Sequence, residues 1–279
     1  MAIPLRTRAA DPSAPDAASI SSYRAYAVPA GVESIAECSW EAEPGWRRRI
    51  RLLPDACVDV VWDGRALVVQ GPATRALYGS LATPRPVIGV RLRAGSALRV
   101  LGRPATAIRD RRLPLSELLG TSTRELERAL ATAPDLERGR HLLIELVAGL
   151  EDPRRGRWSS ASDAVELLRS PSATVASVAN ALGVSERRLH RDCAASVGYG
   201  PKTLQRILRF GAFLERLPAL ATERRWAAAT ALELGYADQA HFCRETRRIC
   251  GSTPLELAAA WRRAAPPIRS IPDPPSGLR

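Results

Sequence analysis

Lysine is almost absent from this chain: of 41 basic residues, only Lys202 is not an arginine. The formal charge of +12 is therefore an arginine charge. A genome-wide preference for arginine codons contributes to such a bias, so the charge favours a polyanionic partner without establishing one. Residues 156–263 hold 16 basic and 10 acidic residues, a net of +6, and half the excess lies elsewhere. An apolar run of the roughly 20 residues needed to span a bilayer is missing, and the first residues, MAIPLRTRAADPSAPDAAS, lack the apolar stretch of a secretory leader. The expectation is a soluble cytoplasmic protein with no membrane partner. The five cysteines, Cys38, Cys57, Cys193, Cys243 and Cys250, form no C-x-x-C pair, and His141, His190 and His241 are scattered. Reduced thiols are expected, with neither a metal site nor a cofactor. Phosphate-binding loops of the P-loop type, G-x-S-x-G elbows and H-E-x-x-H helices are absent, so no catalytic residue is assigned and an enzyme is not expected.

What is present divides the chain into four stretches. Residues 1–22 are rich in Ala, Pro, Ser and Asp, which predicts disorder. Residues 23–155 read as a mostly β domain with appended helices. Cys57-Val-Asp-Val-Val-Trp62 and Ala66-Leu-Val-Val-Gln70 flank Asp63-Gly64, a hairpin signal, because both turn residues tolerate a positive φ. Val87–Arg93 is a further strand, and a small barrel or sandwich is predicted. Apolar residues then recur at helical spacing in Leu115–Leu119, Thr123–Leu130 and Leu136–Leu150, with Ser122 or Thr123 able to cap the second of these. Glu151–Arg157, polar and interrupted by Pro and Gly, reads as a linker. Residues 156–264 predict an all-α domain, and the proline-rich 265–279 a disordered tail. The fold class is α+β.

Within the α domain, residues 174–204 and 226–257 repeat one another. Ala179-x-x-Leu182-Gly183 matches Ala231-x-x-Leu234-Gly235 at an offset of 52; Leu189, Arg191, Gly198 and Pro201 match Phe242, Arg244, Gly251 and Pro254 at 53. One extra residue in the second turn explains the change. Each half has helix-turn-helix logic. Ala179 is small where two helices cross, Gly183 ends the first helix in the left-handed region, and Ser185 caps the next. Leu189 and Cys193 face inward, leaving Arg187, His190 and Arg191 outward. In the second half Asp238 is the cap and Phe242 the inward anchor, while Gln239, His241, Cys243 and Arg244 share the turns able to meet DNA. Arginine suits the two acceptors of guanine and glutamine the edge of adenine. Pro201–Leu217 is a helix whose apolar face, Leu204, Ile207, Leu208, Phe210 and Leu214, joins the two units.

The C-terminal region resembles the DNA-binding domain of the AraC family of bacterial transcription regulators. Gly235-Tyr-Ala-Asp-Gln-Ala-His-Phe-Cys-Arg-Glu245, Gly251-Ser-Thr-Pro254 and Gly198-Tyr-Gly-Pro201 carry the likeness. It implies two helix-turn-helix units on a linker helix, reading adjacent major-groove segments of duplex DNA. By position, the first set of contacts falls on Arg187, His190 and Arg191. The second falls on Gln239, Ala240, His241, Cys243 and Arg244, and Ser185 meets phosphate. Thr246 and Thr230 stand where the family usually has larger or apolar residues. The N-terminal region resembles a sensor domain attached to such regulators, through Leu53–Trp62, Gly71-Pro-Ala-Thr74 and Gly89–Gly95, without naming an effector. RNA polymerase, a small-molecule effector and a second copy of the chain are the further partners this leaves open.

Alternatives remain at several residues. Asp55, Cys57 and Asp59 suggest a metal or sensing site, against the plainer reading of a turn residue, a buried thiol and an arginine partner. Trp40, Trp46 and Trp62 are pocket or core. Leu136–Leu150 is a dimer helix or a cover for the sheet. A DNA-repair alkyltransferase using Cys38 or Cys57 is the competing enzyme, and a protein-binding N-terminal module the third reading.

Overall fold

β-Branched runs punctuated by Gly, Pro and Asp build the N-terminal half of the computed structural model, which describes residues 20–44, 49–80, 85–155, 160–223 and 225–263. The strands are β1 (Ile20–Tyr26), β2 (Ala36–Pro44), β3 (Arg49–Leu52), β4 (Val58–Trp62), β5 (Leu67–Gln70), β6 (Leu77–Ser80), β7 (Val87–Leu92) and β8 (Arg112–Pro114). Six of them form an antiparallel sheet in the order β1-β2-β7-β4-β5-β8, and β3 pairs with β6 separately. Because side chains alternate, β4 and β7 divide cleanly between faces. Val58, Val60, Trp62, Ile88, Val90 and Leu92 enter the main core, whereas Val61, Val68 and Val87 form a smaller cluster with Trp40 on the other face. Trp62 is thus core. Trp46 lies outside the described residues, as do residues 1–19 and 264–279, on which the two predictions of disorder mostly fall.

The β4–β5 hairpin forms with Trp62 opposite Leu67, but its turn works differently from expectation. Only Gly64 takes a positive φ, +86°. Asp63 acts through its carboxylate, which accepts from the amides of Arg65 and Ala66, both at 3.0 Å. The side chain closes the turn as an Asx motif.

The helices that follow are α1 (Ala97–Leu101), α2 (Leu115–Leu119), α3 (Arg124–Ala131) and α4 (Leu136–Leu150), with a 3-10 turn at Ala105–Ala107. Ser122 Oγ accepts from the Arg124 amide at 3.3 Å, while Thr123 hydroxyl donates to Glu127 instead of capping. α4 buries Gly139, Arg140, Leu143, Ile144 and Val147 against the sheet, so Leu136–Leu150 covers it. Glu41 anchors this cover: it pairs with Arg140 and accepts the Tyr26 hydroxyl at 2.8 Å, and the Arg140 guanidinium stacks 3.7 Å from the Tyr26 ring. Asp59 turns out to be an arginine partner. It pairs with buried Arg91 at 3.2 Å and accepts from Trp40 Nε1 at 3.1 Å. Asp55 accepts from the Cys57 amide in a tight turn, and Cys57 is buried. No group of three metal-ligating side chains occurs among the described residues.

The remaining elements are helical: α5 (Ala161–Leu168), α6 (Val175–Ala181), α7 (Glu186–Val197), α8 (Pro201–Leu220), α9 (Ala227–Glu233), α10 (Gln239–Cys250) and α11 (Pro254–Arg263). No described helix is long and apolar enough to cross a membrane.

Candidate nucleic-acid interface

The repeat read in the sequence becomes two matching sets of helices. α6 and α9 have seven residues each, α7 and α10 twelve each. The first pair starts 52 residues apart and the second 53, the extra residue lying in the turn before α10. Gly183 and Gly235 follow the first helices at φ +64° and +78°, where a left-handed residue is required, and Gly198 and Gly251 end α7 and α10 at +97° and +81°. Ser185 caps α7 by accepting from the Arg188 amide at 3.2 Å, and Asp238 caps α10 by accepting from the His241 amide at 2.6 Å. Thr174 and Ser177 form a reciprocal capping box on α6. α9 begins instead at Trp226, a buried ring stacked 5.9 Å from Phe213.

Both units are built on α8, about 30 Å long at 1.5 Å per residue. Its apolar residues do not form the single face expected of them. Leu204, Ile207 and Leu208 join the core of α5, α6 and α7, whereas Phe210, Phe213, Leu214, Leu217 and Leu220 join that of α9, α10 and α11. At about 100° per residue the two sets are centred roughly 140° apart around the helix. The helix thus presents one side to each unit, and this rotation sets how the units are turned relative to one another. Polar contacts fix the arrangement: Arg206 pairs with Glu245 of α10, Arg216 with Glu233 of α9 at 2.6 Å, and Gln205 donates to the Ala173 carbonyl at 2.6 Å. Gly235 is also a point of close approach, since a Cβ there would lie 2.5 Å from the Pro171 carbonyl oxygen of the first unit.

The side chains expected to meet DNA separate into free and engaged groups. Arg187 and Arg191 are exposed on α7, one turn apart. Arg188 between them is half-buried and committed to Asp192, at 2.9 and 3.0 Å. Asp192 is buried and also accepts from the amide and hydroxyl of Ser160. This clamp was not foreseen; Arg188 and Asp192, at i and i+4, were its only signal. His190 is exposed, but its ring lies against Gly200, whose missing side chain makes the room: a Cβ there would come within 2.5 Å of Nε2. On α10, Gln239, Ala240 and Arg244 are exposed. His241 is half-buried, accepts from the Ala237 amide through Nδ1 at 3.3 Å and meets the Tyr236 ring edge-on. Cys243 is half-buried, and desolvation raises its thiol pKa. Cys193, buried beside Asp192, is pushed up to about 12 by burial first and that charge second, which suits a core residue and not a nucleophile.

Thr230 and Thr246 are both buried, at 3% and 0% exposure, and Thr246 Oγ1 finds no hydrogen-bond partner among the described residues. A buried hydroxyl without a partner loses its hydration for nothing. Thr246→Val keeps the shape and removes that loss. It is expected to stabilise the protein by about 1 kcal/mol, raising the calorimetric midpoint by about 2–3 °C. A lowered midpoint would mean the hydroxyl is satisfied in solution.

Residues 163–260 match a helix-turn-helix domain family, and residues 28–114 match a domain family of unknown function, DUF6597. No curated protein is matched. Among solved structures, ToxT from Vibrio cholerae O395 is 12% identical over 76% of this chain and 88% of its own, with a TM-score of 0.38. Wild-type ToxT from Vibrio cholerae strain SCE256 bound to an unsaturated fatty acid is 10% identical over 76% and 93%, with a TM-score of 0.40. Likeness of that degree carries no argument about this chain.

Proposed function

We propose that this chain, a DNA-binding transcription regulator with an AraC-type helix-turn-helix domain at its C-terminus, reads two adjacent major-groove segments as a single molecule. The observation that carries the reading is the duplicated recognition helix: α7 and α10 have equal length, equivalent side-chain caps and two exposed residues at their starts, Glu186 and Arg187 on α7, Gln239 and Ala240 on α10. Arg187 and Arg191 take base edges from α7, most readily guanine O6 and N7. Ser185, whose hydroxyl proton is not used by its capping bond, donates to a phosphate, and His190, further along α7, meets a base edge or the backbone. From α10, Gln239 suits adenine, Ala240 a thymine methyl and Arg244 guanine, while His241 and Cys243 line the same surface at its margin.

Residues 156–264 form the DNA-binding part and 23–155 a sensor part whose small-molecule effector biases it. The protein acts in the cytoplasm, has no catalytic site, and regulates by contact with RNA polymerase or by excluding it; a second copy is not needed to fill a bipartite site. Against the alkyltransferase alternative, Cys38 and Cys57 are both buried in the sheet region and no ligand trio surrounds them among the described residues.

Selection of bound sequences from random duplex DNA by the full chain tests this. Two conserved elements about one turn, 10–10.5 base pairs, apart are expected. A single short element would remove α10 from the readout, and binding without sequence preference would remove the proposal.

A further inference from the structure

The carboxyl ends of both recognition helices rest on the β-rich region, and one short segment reaches both. At the end of α7, Pro72 lies so close to Gly198 that a Cβ there would meet its Cγ at 2.7 Å and the Ala105 carbonyl oxygen at 3.2 Å. The Gly198 carbonyl accepts from Arg109 at 3.3 Å. At the end of α10, the Ala76 amide donates to the Ile249 carbonyl at 2.7 Å, and Tyr78 and Arg51 flank Gly251. Leu53, buried at 4% exposure, belongs to the core of the second unit, and Ala56 to that of the first. Pro72 and Ala76 are four residues apart, so the segment between them spans at most about 14 Å.

That segment is pinned. The Gly71 amide donates to the Arg111 carbonyl at 2.9 Å, and a Cβ on Gly71 would collide with the Ile108 carbonyl oxygen at 1.7 Å. Asp110 holds its middle, accepting from the Thr74 amide at 2.7 Å and the Thr74 hydroxyl at 2.8 Å, and its own amide donates to the Pro72 carbonyl at 3.0 Å. Gly71-Pro-Ala-Thr74 is one of the strings on which the sensor-like resemblance rested, and DNA contact gives it no role.

We propose that Pro72–Ala76, held by Asp110, is a strut that fixes the separation and phase of the two recognition helices. These are positioning residues: they touch no DNA and determine which half-element spacing the protein accepts. α8 and the close approach of Gly235 to Pro171 join the units on one side, and a further connection at the far ends of α7 and α10 limits the remaining freedom to pivot. A change in the sensor region that shifts residues 71–76 thereby reaches both reading heads at once. The inference rests on the two-helix reading above.

The test uses the full chain and duplexes made from its selected site, with the spacing between elements varied one base pair at a time, and each element alone. One inserted base pair turns an element by about 35° around the duplex, so the unaltered chain is expected to lose about tenfold or more in affinity per step. Asp110→Gly removes both carboxylate bonds of the pin, leaving only its backbone amide on the Pro72 carbonyl, and does so without strain because Asp110 already sits at φ +57°. It is expected to flatten the spacing profile to within about threefold while binding to a single element stays within about twofold. Asp110→Asn, which keeps an acceptor for the Thr74 amide, is expected to restore the sharp profile. Ala76→Pro, lacking the amide proton, should flatten it independently, and Thr74→Val supplies a milder variant should Asp110→Gly fail to fold. An unchanged profile in the folded variants overturns the strut. Absence of any spacing optimum in the unaltered chain overturns the two-helix reading itself, a separate result.

Discussion

Alanine at both Arg187 and Arg191 is expected to weaken binding to the selected site by at least about 30-fold, since each bidentate arginine–guanine contact contributes about 1–3 kcal/mol. The two arginines differ from Arg188 in how little they are engaged among the described residues. Arg191 has a side-chain exposure of 68% and only a 4.0 Å approach to Asp192, whereas Arg188 gives both its near contacts to that carboxylate. The same measurement separates readout from general charge. In fluorescence anisotropy at fixed salt, the double variant should lose its preference for selected over scrambled duplex. Arg188→Ala should keep the preference and lose stability instead, because it leaves buried Asp192 with fewer donors. Equal losses on both duplexes would assign the arginines to phosphate contact alone.

The second large effect is on folding. Asp59→Ala strands Arg91, whose side chain is 5% exposed. Burial, the largest single influence, works against the charged guanidinium, but Asp59 first, with Tyr23, Cys57 and Cys38 behind it, together outweigh it and hold the arginine's pKa above its ordinary value. Removing one partner of such a pair costs about 3–5 kcal/mol, because the other charge is left desolvated and uncompensated. Trp40 Nε1 loses its acceptor in the same step. Urea unfolding followed by tryptophan fluorescence should show this loss; one below about 1 kcal/mol would mean that water reaches Arg91 and that the pair is not sealed. The contrast between the two predictions separates the halves of the molecule by mechanism. A buried arginine holds the sheet together, while exposed ones on α7 are left for a partner.

Local chemistry was legible in the sequence. The 52-to-53 change of offset located the extra turn residue before α10, and Ser185, Asp238, Gly183 and Pro201 stand where their backbone chemistry places them. Features that depend on two distant segments meeting were not. The stripe on α8 looked like one face because periodicity counts apolar residues without saying which neighbour each touches; the split after Leu208 appears only once both units are packed on it. Asp63 was assigned a backbone conformation when its carboxylate does the work, since Asp serves turns by either route. Asp110 gave no readable signal, because its partner Thr74 lies 36 residues away, and for Asp192 only the i, i+4 spacing to Arg188 was readable, its other partner Ser160 lying 32 residues away. The Trp226 start of α9 follows no capping rule and is held by its stacking on Phe213. Duplication gave the site's position, and packing decided which of its polar residues remain free.

The central claim is that one chain carries two reading heads. Hydroxyl-radical footprinting of the full chain on its selected duplex, with the binding stoichiometry measured on the same sample, tests it most directly. The account predicts one chain per duplex protecting two backbone segments about one helical turn apart on the same face. A single protected segment per chain, or two chains needed to protect both, would contradict it.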